Sequence, residues 1–207
     1  MSRAKSLNLQ ALEEYQNEIF EHLLETEIKI LPSPNYIKSQ EELNWSDRTE
    51  LIKKFFSWLK KSSITAEPVF LALNFVDRFL SYNCTDGHFE VLGAVAFALA
   101  LKYEMPDVHD TAETCVSVIN NLGGWEKGYE SSDISSIERR LLKVLDYSLG
   151  IPSPFFFIRC IRRLDKSRQH ILGLAQYFAA STMLMKQFVG TRPSLFAAAS
   201  YFLSILY

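Results

Sequence analysis

Cysteine and glycine are both scarce in this chain of 207 residues, which contains three cysteines and eight glycines. Cys84, Cys115 and Cys160 are widely spaced and odd in number, so they show neither metal-ligand nor redox spacing. They predict reduced thiols in a protein of the cytoplasm or nucleus rather than a disulfide framework. The only glycine doublet, Gly123-Gly124, lacks the further glycines and the lysine of a phosphate-binding loop.

An excess of charge of one sign is also lacking. The formal net charge is −2 and the isoelectric point is about 6.1, which disfavours nucleic acid and anionic membranes as partners. Short basic pairs are best interpreted as solvated helix faces. They are Lys53-Lys54, Lys60-Lys61, Arg139-Arg140 and Arg162-Arg163.

Residue patterns of a catalytic site are missing as well. The four histidines have no spacing that would place two on one helical turn as metal ligands. No Gly-x-Ser-x-Gly motif or cysteine–histidine pairing indicates a nucleophile, and Met1–Leu12 has no apolar core of the length that a secretory signal needs. The sequence therefore predicts a non-enzymatic protein without metal or cofactor that binds another protein.

A continuous apolar segment is the most prominent feature that is present. From Val91 to Leu101 there is no polar side chain, and the alanine-rich composition favours a helix over a strand. Apolar residues cover every face, as is typical of a helix enclosed by others. The segment is shorter than the roughly 20 residues that span a bilayer. We therefore predict a central core helix over Phe89–Tyr103.

The rest of the chain shows apolar residues at helical spacing and no strand-like alternation, which predicts an all-α fold. The second helix is predicted to begin at Ser46-Asp47, with Glu50 three residues beyond Asp47 as in a capping box. Predicted helices cover about 8–30, 46–59, 65–82, 89–103, 109–121, 132–146, 154–164, 168–187 and 193–206.

Two short motifs recur, which suggests an internal duplication. Leu71-Ala72-x-x-Phe75 recurs as Leu174-Ala175-x-x-Phe178, and Leu92-x-Ala94-x-Ala96 recurs as Leu195-x-Ala197-x-Ala199. Both pairs have the same offset of 103 residues, from 71 to 174 and from 92 to 195, which predicts a duplicated helical domain. The second copy would have only three helices before Tyr207, which predicts either truncation or an exposed apolar face.

Five segments, in order along the chain, resemble the cyclin family. The leader from Tyr15 to Tyr36 is similar to that of A- and B-type mitotic cyclins, and Leu71–Ser81 is similar to the signature helix of the cyclin box. The other three segments are Leu101–Glu104, Ile137–Pro152 and Arg192–Ala199. The resemblance implies tandem cyclin folds. It places an N-terminal helix and extended connection in 1–40, a five-helix cyclin box in 41–149, and a second fold, incomplete after its third helix, in 150–207.

The resemblance also implies a non-catalytic subunit that binds and activates a cyclin-dependent protein kinase and contacts protein substrates or inhibitors. In the family, the lysine that ends the third helix and a glutamate of the fifth bind the kinase together. These positions are Lys102 and Glu138 here. The same carry-over completes the predicted kinase-binding set with Tyr103, Glu104, Leu142, Tyr147 and Leu149.

The chain departs from the family pattern around Trp58. Asp77 and Arg78 are predicted to be structural residues. The arginine that usually pairs with the aspartate is missing from its position here, and Arg48, one turn upstream, is the predicted substitute. Lys60-Lys61 replaces an acidic residue, so the predicted substrate-docking groove would have basic edges. That groove consists of Phe55, Trp58, Phe89 and Leu92.

Two other functions remain open at the level of sequence. A cyclin-fold core of a transcription-initiation factor, binding DNA or promoter proteins, would share the tandem helical repeat but would need basic faces. An inactive or viral-type scaffold without a kinase is the third interpretation, and it rests only on the departures around Trp58.

Overall fold

A computed structural model describes residues 15–60, 65–82, 89–105, 131–164 and 171–207 of the chain. Within these ranges it contains eight α-helices, two short 3₁₀ helices and no strand, which confirms the all-α prediction. The α-helices are α1 (Gln16–Lys29), α2 (Trp45–Leu59), α3 (Glu67–Tyr82), α4 (Phe89–Glu104), α5 (Ser131–Val144), α6 (Pro154–Leu164), α7 (Leu172–Thr182) and α8 (Pro193–Leu206). The 3₁₀ helices are Tyr36–Ser39 and Lys186–Phe188. The predicted helix over 109–121 lies outside the described residues.

The start of α2 differs from the prediction. Asn44 is the N-cap, and its side chain accepts hydrogen bonds from the backbone N–H groups of Ser46 and Asp47, at 2.7 and 3.3 Å. The Asp47 carboxylate in turn accepts from the Asn44 N–H at 2.9 Å. The predicted cap at Ser46-Asp47 with Glu50 was therefore wrong, because the helix begins earlier and Glu50 lies beyond the first turn.

The central helix is confirmed as α4. Every residue from Val91 to Leu101 is buried, and α2, α3 and α5 pack around it. Phe55 of α2 stacks on Phe97 with ring centroids 4.6 Å apart. A Cβ at Gly93 would lie 2.6 Å from Leu51 Cδ1, so the absence of a side chain lets α2 approach closely. Among the described residues, no helix is both long and apolar enough to cross a bilayer.

The second half repeats part of this arrangement. Helices α7 and α8 pack together as α3 and α4 do, and α6 packs against both. Residues 168–170 of the predicted helix over 168–187 lie outside the described residues, and its end is wrong, because α7 ends at Thr182 and the chain turns at Met183. The exposed apolar face, one of the two predicted outcomes for this half, lies on α8 and at its end. Its exposed side chains are Leu195, Phe202, Leu203, Ile205, Leu206 and Tyr207.

The N-terminal helix α1 is fastened to the second half. The buried carboxylate of Glu27 accepts hydrogen bonds from the Ser194 N–H at 2.9 Å and the Ser194 hydroxyl at 2.6 Å. Ser194 lies in the first turn of α8, where free N–H groups favour a negative charge. Phe20 of α1 also packs edge-to-face on Phe157 of α6 at 5.7 Å. Glu27 thus supplies the cap that Arg192, the N-cap residue of α8, does not.

Candidate protein-binding site

The predicted kinase-binding set is distributed over three adjoining pieces of chain. Helices α4 and α5 pack directly against each other, and the turn after α5 completes the region. Tyr103 and Tyr147 have exposed fractions of 51% and 66%, large enough for both rings to contact a partner. Lys102, Tyr103 and Glu104 are at the end of α4, Glu138 and Leu142 are on α5, and Tyr147 and Leu149 follow α5. Their role in binding a kinase stays a prediction.

Tyr103 connects the end of α4 to the chain that follows α5. Its hydroxyl oxygen lies 2.8 Å from the position that a Cβ would occupy at Gly150. The hydroxyl end of the Tyr103 side chain therefore lies against Gly150, next to Leu149, where glycine leaves room for it. This contact makes the surface continuous from the end of α4 to the segment after α5.

The turn after α5 is a Schellman motif. The Asp146 N–H donates to the Lys143 carbonyl at 3.1 Å, and the Tyr147 N–H donates to the Leu142 carbonyl at 3.0 Å. Asp146 and Tyr147 have φ angles of 50° and 53°, in the left-handed region. The motif therefore ends the helix sharply and leaves Tyr147 on the surface.

Glu104 lies in a mixed electrostatic environment at the end of α4. Partial burial raises the pKa of its carboxyl group, Glu67 raises it further, and Arg159 partly offsets both effects. Glu67, at the start of α3, forms an ion pair with Arg159 of α6. The ion pair thus joins the two halves of the protein beside a residue of the predicted kinase-binding set.

We expect Glu67→Gln to lower the pKa of Glu104 toward its ordinary value. The change removes a neighbouring negative charge and leaves Arg159 available to Glu104. In the wild type, a raised folded-state pKa means that the penalty for the charged form is fully present above that pKa. As the pH falls below the folded-state pKa and then below the unfolded-state pKa, Glu104 becomes protonated and this destabilisation is lost. Glu104 therefore makes the folded state relatively more stable at low pH than at high pH.

The measurement is an NMR titration of the Glu104 side-chain carboxyl carbon in the wild type and in Glu67→Gln. Glu50→Gln, which changes an exposed carboxylate on α2, is the matched control and should leave the Glu104 pKa unchanged. An identical Glu104 pKa in the wild type and Glu67→Gln would contradict the assigned cause.

The predicted substrate-docking groove is not open in this structure. Phe55, Phe89 and Leu92 are at most 8% exposed, so they belong to the core. Only Trp58 of the four predicted residues is half-buried and partly accessible. Close packing of α2 on α4 turns the side chains of the other three inward, and a role for them in substrate docking stays a prediction. At this edge Lys54 pairs with Glu90 at 3.3 Å.

We expect Trp58→Ala to lower the free energy of unfolding by about 2 kcal/mol or more. The indole packs edge-to-face on the buried ring of Phe97 at 5.2 Å, and its truncation removes that contact. The loss falls below that of a fully buried tryptophan because Trp58 is partly accessible. Urea denaturation measures the change, with Tyr82→Ala, which alters a ring that is 79% exposed, as the control. An unaltered unfolding midpoint for Trp58→Ala would show that the indole is only a surface group.

Asp77 lies at the centre of a buried network. Arg48 Nε donates to Asp77 Oδ1 at 2.9 Å, Arg48 Nη2 donates to Oδ2 at 2.8 Å, and the Tyr36 hydroxyl donates to Oδ1 at 2.6 Å. Arg48 Nη1 also donates to the Met183 carbonyl at 2.7 Å. Arg48 therefore provides the arginine that is missing from the usual family position, and its third donor contact reaches the second half.

Burial governs the ionisation of this network. It raises the pKa of the Tyr36 phenol, and the nearby Asp77 carboxylate raises it further, so the phenol remains a donor. Burial lowers the pKa of Arg48, but Asp77 and Tyr36 outweigh that effect and the net shift is upward. The residues that the sequence did not assign to this network are Tyr36, which appeared only as part of the leader pattern, and Met183.

The described residues offer little for chemistry. They contain no group of three histidine, cysteine, aspartate or glutamate side chains that could hold a metal ion. Partial burial raises the pKa of the Cys160 thiol, which disfavours the nucleophilic thiolate. What this region offers is a surface: exposed aromatic rings beside charged groups, carried on tightly packed helices.

Two family models and one solved structure match this tandem helical fold. A family model described as "Cyclin, N-terminal domain" matches residues 18–150, and one described as "Cyclin, C-terminal domain" matches residues 152–207. The structure of a viral cyclin from herpesvirus saimiri superposes with a TM-score of 0.73 at 14% identity, over 90% of this chain and 81% of the other. The predicted domain boundaries after residues 40 and 149 stay predictions.

Curated relatives agree with these matches. G2/mitotic-specific cyclin-4 of Candida albicans is 33% identical over 92% of this chain and 38% of its own length. G2/mitotic-specific cyclin-3 of Saccharomyces cerevisiae is 32% identical over 92% of this chain and 43% of its length. G2/mitotic-specific cyclin cdc13 of Schizosaccharomyces pombe is 33% identical over 92% and 38%. The chain thus spans about two fifths of the length of these relatives.

The fold and the family models together define a tandem helical repeat protein of the cyclin type. The chain belongs to the cyclin family, as the resemblance of its five ordered segments predicts.

Proposed function

We propose that this chain is a regulatory subunit that binds and activates a cyclin-dependent serine/threonine protein kinase and thereby controls the cell cycle. The observation that carries the proposal is membership of the cyclin family, with relatives named as G2/mitotic-specific cyclins. An exposed face with two tyrosines, at the end of α4 and after α5, is consistent with a protein partner.

The proposed interface combines directional and apolar contacts. Lys102 has three donors and Glu138 has two acceptor oxygens, so together they can bind the backbone of a partner segment. Tyr103 and Tyr147 are exposed and would lose water-accessible area on binding. Tyrosine suits this role because it buries a large ring and keeps a hydroxyl for a hydrogen bond.

Activation would follow from selective binding. The kinase interconverts between states, and a subunit that contacts its active arrangement better than the others shifts the population toward that arrangement. In that arrangement the mobile helix of the kinase is held inward, where its glutamate pairs with the ATP-binding lysine. The family points to a non-enzymatic role for this chain, which contributes binding free energy and leaves phosphoryl transfer to the kinase.

The test is co-purification of the chain with a panel of cyclin-dependent kinases, followed by a histone phosphorylation assay. We expect at least one kinase to be retained and its activity to rise when the chain is added. Retention of no kinase would contradict the proposed function. Tight, salt-sensitive DNA binding in its place would support the transcription-factor interpretation.

A further inference from the structure

Two consecutive residues of the turn after α5 have an unusual backbone conformation. Asp146 and Tyr147 are the only non-glycine residues with positive φ among the described parts of the chain. Aspartate tolerates this region, but a bulky aromatic residue there is uncommon. The left-handed conformation is unfavourable for a residue with a side chain, because its Cβ comes too close to the following carbonyl oxygen. Since Tyr147 is 66% exposed, burial of its ring does not offset that cost.

The side chain of Arg78 holds this turn from outside the helix. Its Nη2 donates to the Leu145 carbonyl at 3.1 Å, and its Nη1 donates to the Ser148 carbonyl at 3.0 Å. These carbonyls are on the residues directly before and directly after Asp146-Tyr147. A single guanidinium therefore bridges the two ends of the strained segment. The Leu145 carbonyl also accepts the Ser148 N–H at 3.0 Å, so Arg78 adds a second donor there.

Among the described residues, no charged partner accounts for the position of Arg78. Within the described ranges it forms no ion pair with a carboxylate, and the adjacent Asp77 is committed to Arg48. Partial burial lowers the pKa of Arg78, which indicates that its charge is held away from water at some cost. The contacts that compensate for this are the two carbonyls of the turn.

We propose that Arg78 is a positioning residue for partner binding: it holds Asp146-Tyr147 in the left-handed conformation and thereby fixes where the Tyr147 ring is presented. This inference rests on the proposed function and adds a residue that does not itself belong to the predicted kinase-binding set. Strained backbone that is held by its surroundings is typical of functional positions. A turn that is fixed before binding loses less conformational entropy on binding.

The planar fork of arginine is required by this geometry. It offers two separate N–H groups in fixed directions to two carbonyls, whereas the lysine ammonium is a compact charge on a flexible stem. Arg78→Lys therefore keeps the charge and much of the stem but cannot bridge both carbonyls in the same way. It is the variant that tests the bridge rather than the charge.

The experiment is a double-mutant cycle with the kinase retained in the panel. Affinity is measured for the wild type, Arg78→Lys, Tyr147→Ala and the double variant. We expect Arg78→Lys to weaken binding about tenfold in the wild-type background and less than twofold when Tyr147 is already alanine. Arg192→Lys, an exposed arginine at the start of α8, is the matched control and should leave affinity unchanged.

Equal losses from Arg78→Lys in both backgrounds would overturn the proposal, because they would show a general structural effect that does not act through Tyr147. No loss in either background would overturn it as well.

A second readout needs no kinase. Amide hydrogen exchange of Tyr147 in the free chain should accelerate at least fivefold in Arg78→Lys, while exchange in α4 is unchanged. Unchanged exchange at Tyr147 would show that Arg78 does not hold the turn, whether or not a kinase binds. If the wild-type chain binds no kinase, the proposed function fails. Accelerated exchange in Arg78→Lys would then show that Arg78 is a structural residue only, and its role in partner binding would be overturned.

Discussion

Asp77→Ala is expected to lower the free energy of unfolding by about 3–5 kcal/mol, because it leaves a buried charge without its partner. Arg48 is 4% exposed and directs two of its donors at the Asp77 carboxylate. The Tyr36 hydroxyl would lose its acceptor at the same time. The contact from Arg48 to the Met183 carbonyl would remain, but it does not neutralise the charge. Urea denaturation followed by circular dichroism measures the change.

The combined variant Arg48→Met with Asp77→Leu separates the cause from a general packing defect. It removes both charges and keeps similar volume, so it should be less destabilised than Asp77→Ala alone. Glu50→Ala, at an exposed carboxylate on the same helix as Arg48, is the control and should change the free energy by less than about 0.5 kcal/mol. A double variant as unstable as Asp77→Ala would contradict the charge argument.

Lys102→Ala and Glu138→Ala are each expected to weaken kinase binding by about 2 kcal/mol or more, with the helical fold intact. The reason is that each truncation removes hydrogen bonds to a charged group and leaves partner backbone groups unsatisfied where water is excluded. The Lys102 side chain is exposed and Glu138 is only half-buried, so neither truncation opens a cavity in the core.

Affinity and circular dichroism have to be measured on the same samples for this prediction. Lys186→Ala, at an exposed lysine in the second 3₁₀ helix, is the matched control and should bind as the wild type does. Unchanged affinity in both Lys102→Ala and Glu138→Ala would remove the assignment of these two residues. Loss of helical signal in either variant would show that the residue is structural.

The central helix was predictable from sequence because its pattern is unambiguous. A run from Val91 to Leu101 without a polar side chain can be satisfied only by burial on all faces, and α4 is buried in this way. The pairing of Arg48 with Asp77 was also predictable. The arginine that usually pairs with this aspartate in the family is missing from its position, and Arg48 lies about one helical turn away from that position. Both predictions rest on patterns that are local or tied to one helix face.

Contacts that depend on how distant helices pack were not predictable. Glu27 and Ser194 are far apart in sequence, and neither residue carries a signal for the other. The depth of Phe55 follows from the close approach of α2 to α4 at Gly93, which a helical pattern does not encode. The left-handed conformations of Asp146 and Tyr147 have no sequence signal either, since glycine is the usual residue at the first position and a bulky aromatic residue is uncommon at positive φ.

We propose that the face formed by α4, α5 and the turn after α5 binds a cyclin-dependent kinase. The most direct measurement is a calorimetric titration of the kinase retained in the panel with the wild-type chain and with the Lys102→Ala, Glu138→Ala double variant. We expect saturable one-to-one binding for the wild type and a loss of at least thirtyfold in affinity, corresponding to about 2 kcal/mol, for the double variant. Equal affinities for the two proteins, or no binding by the wild type, would contradict it.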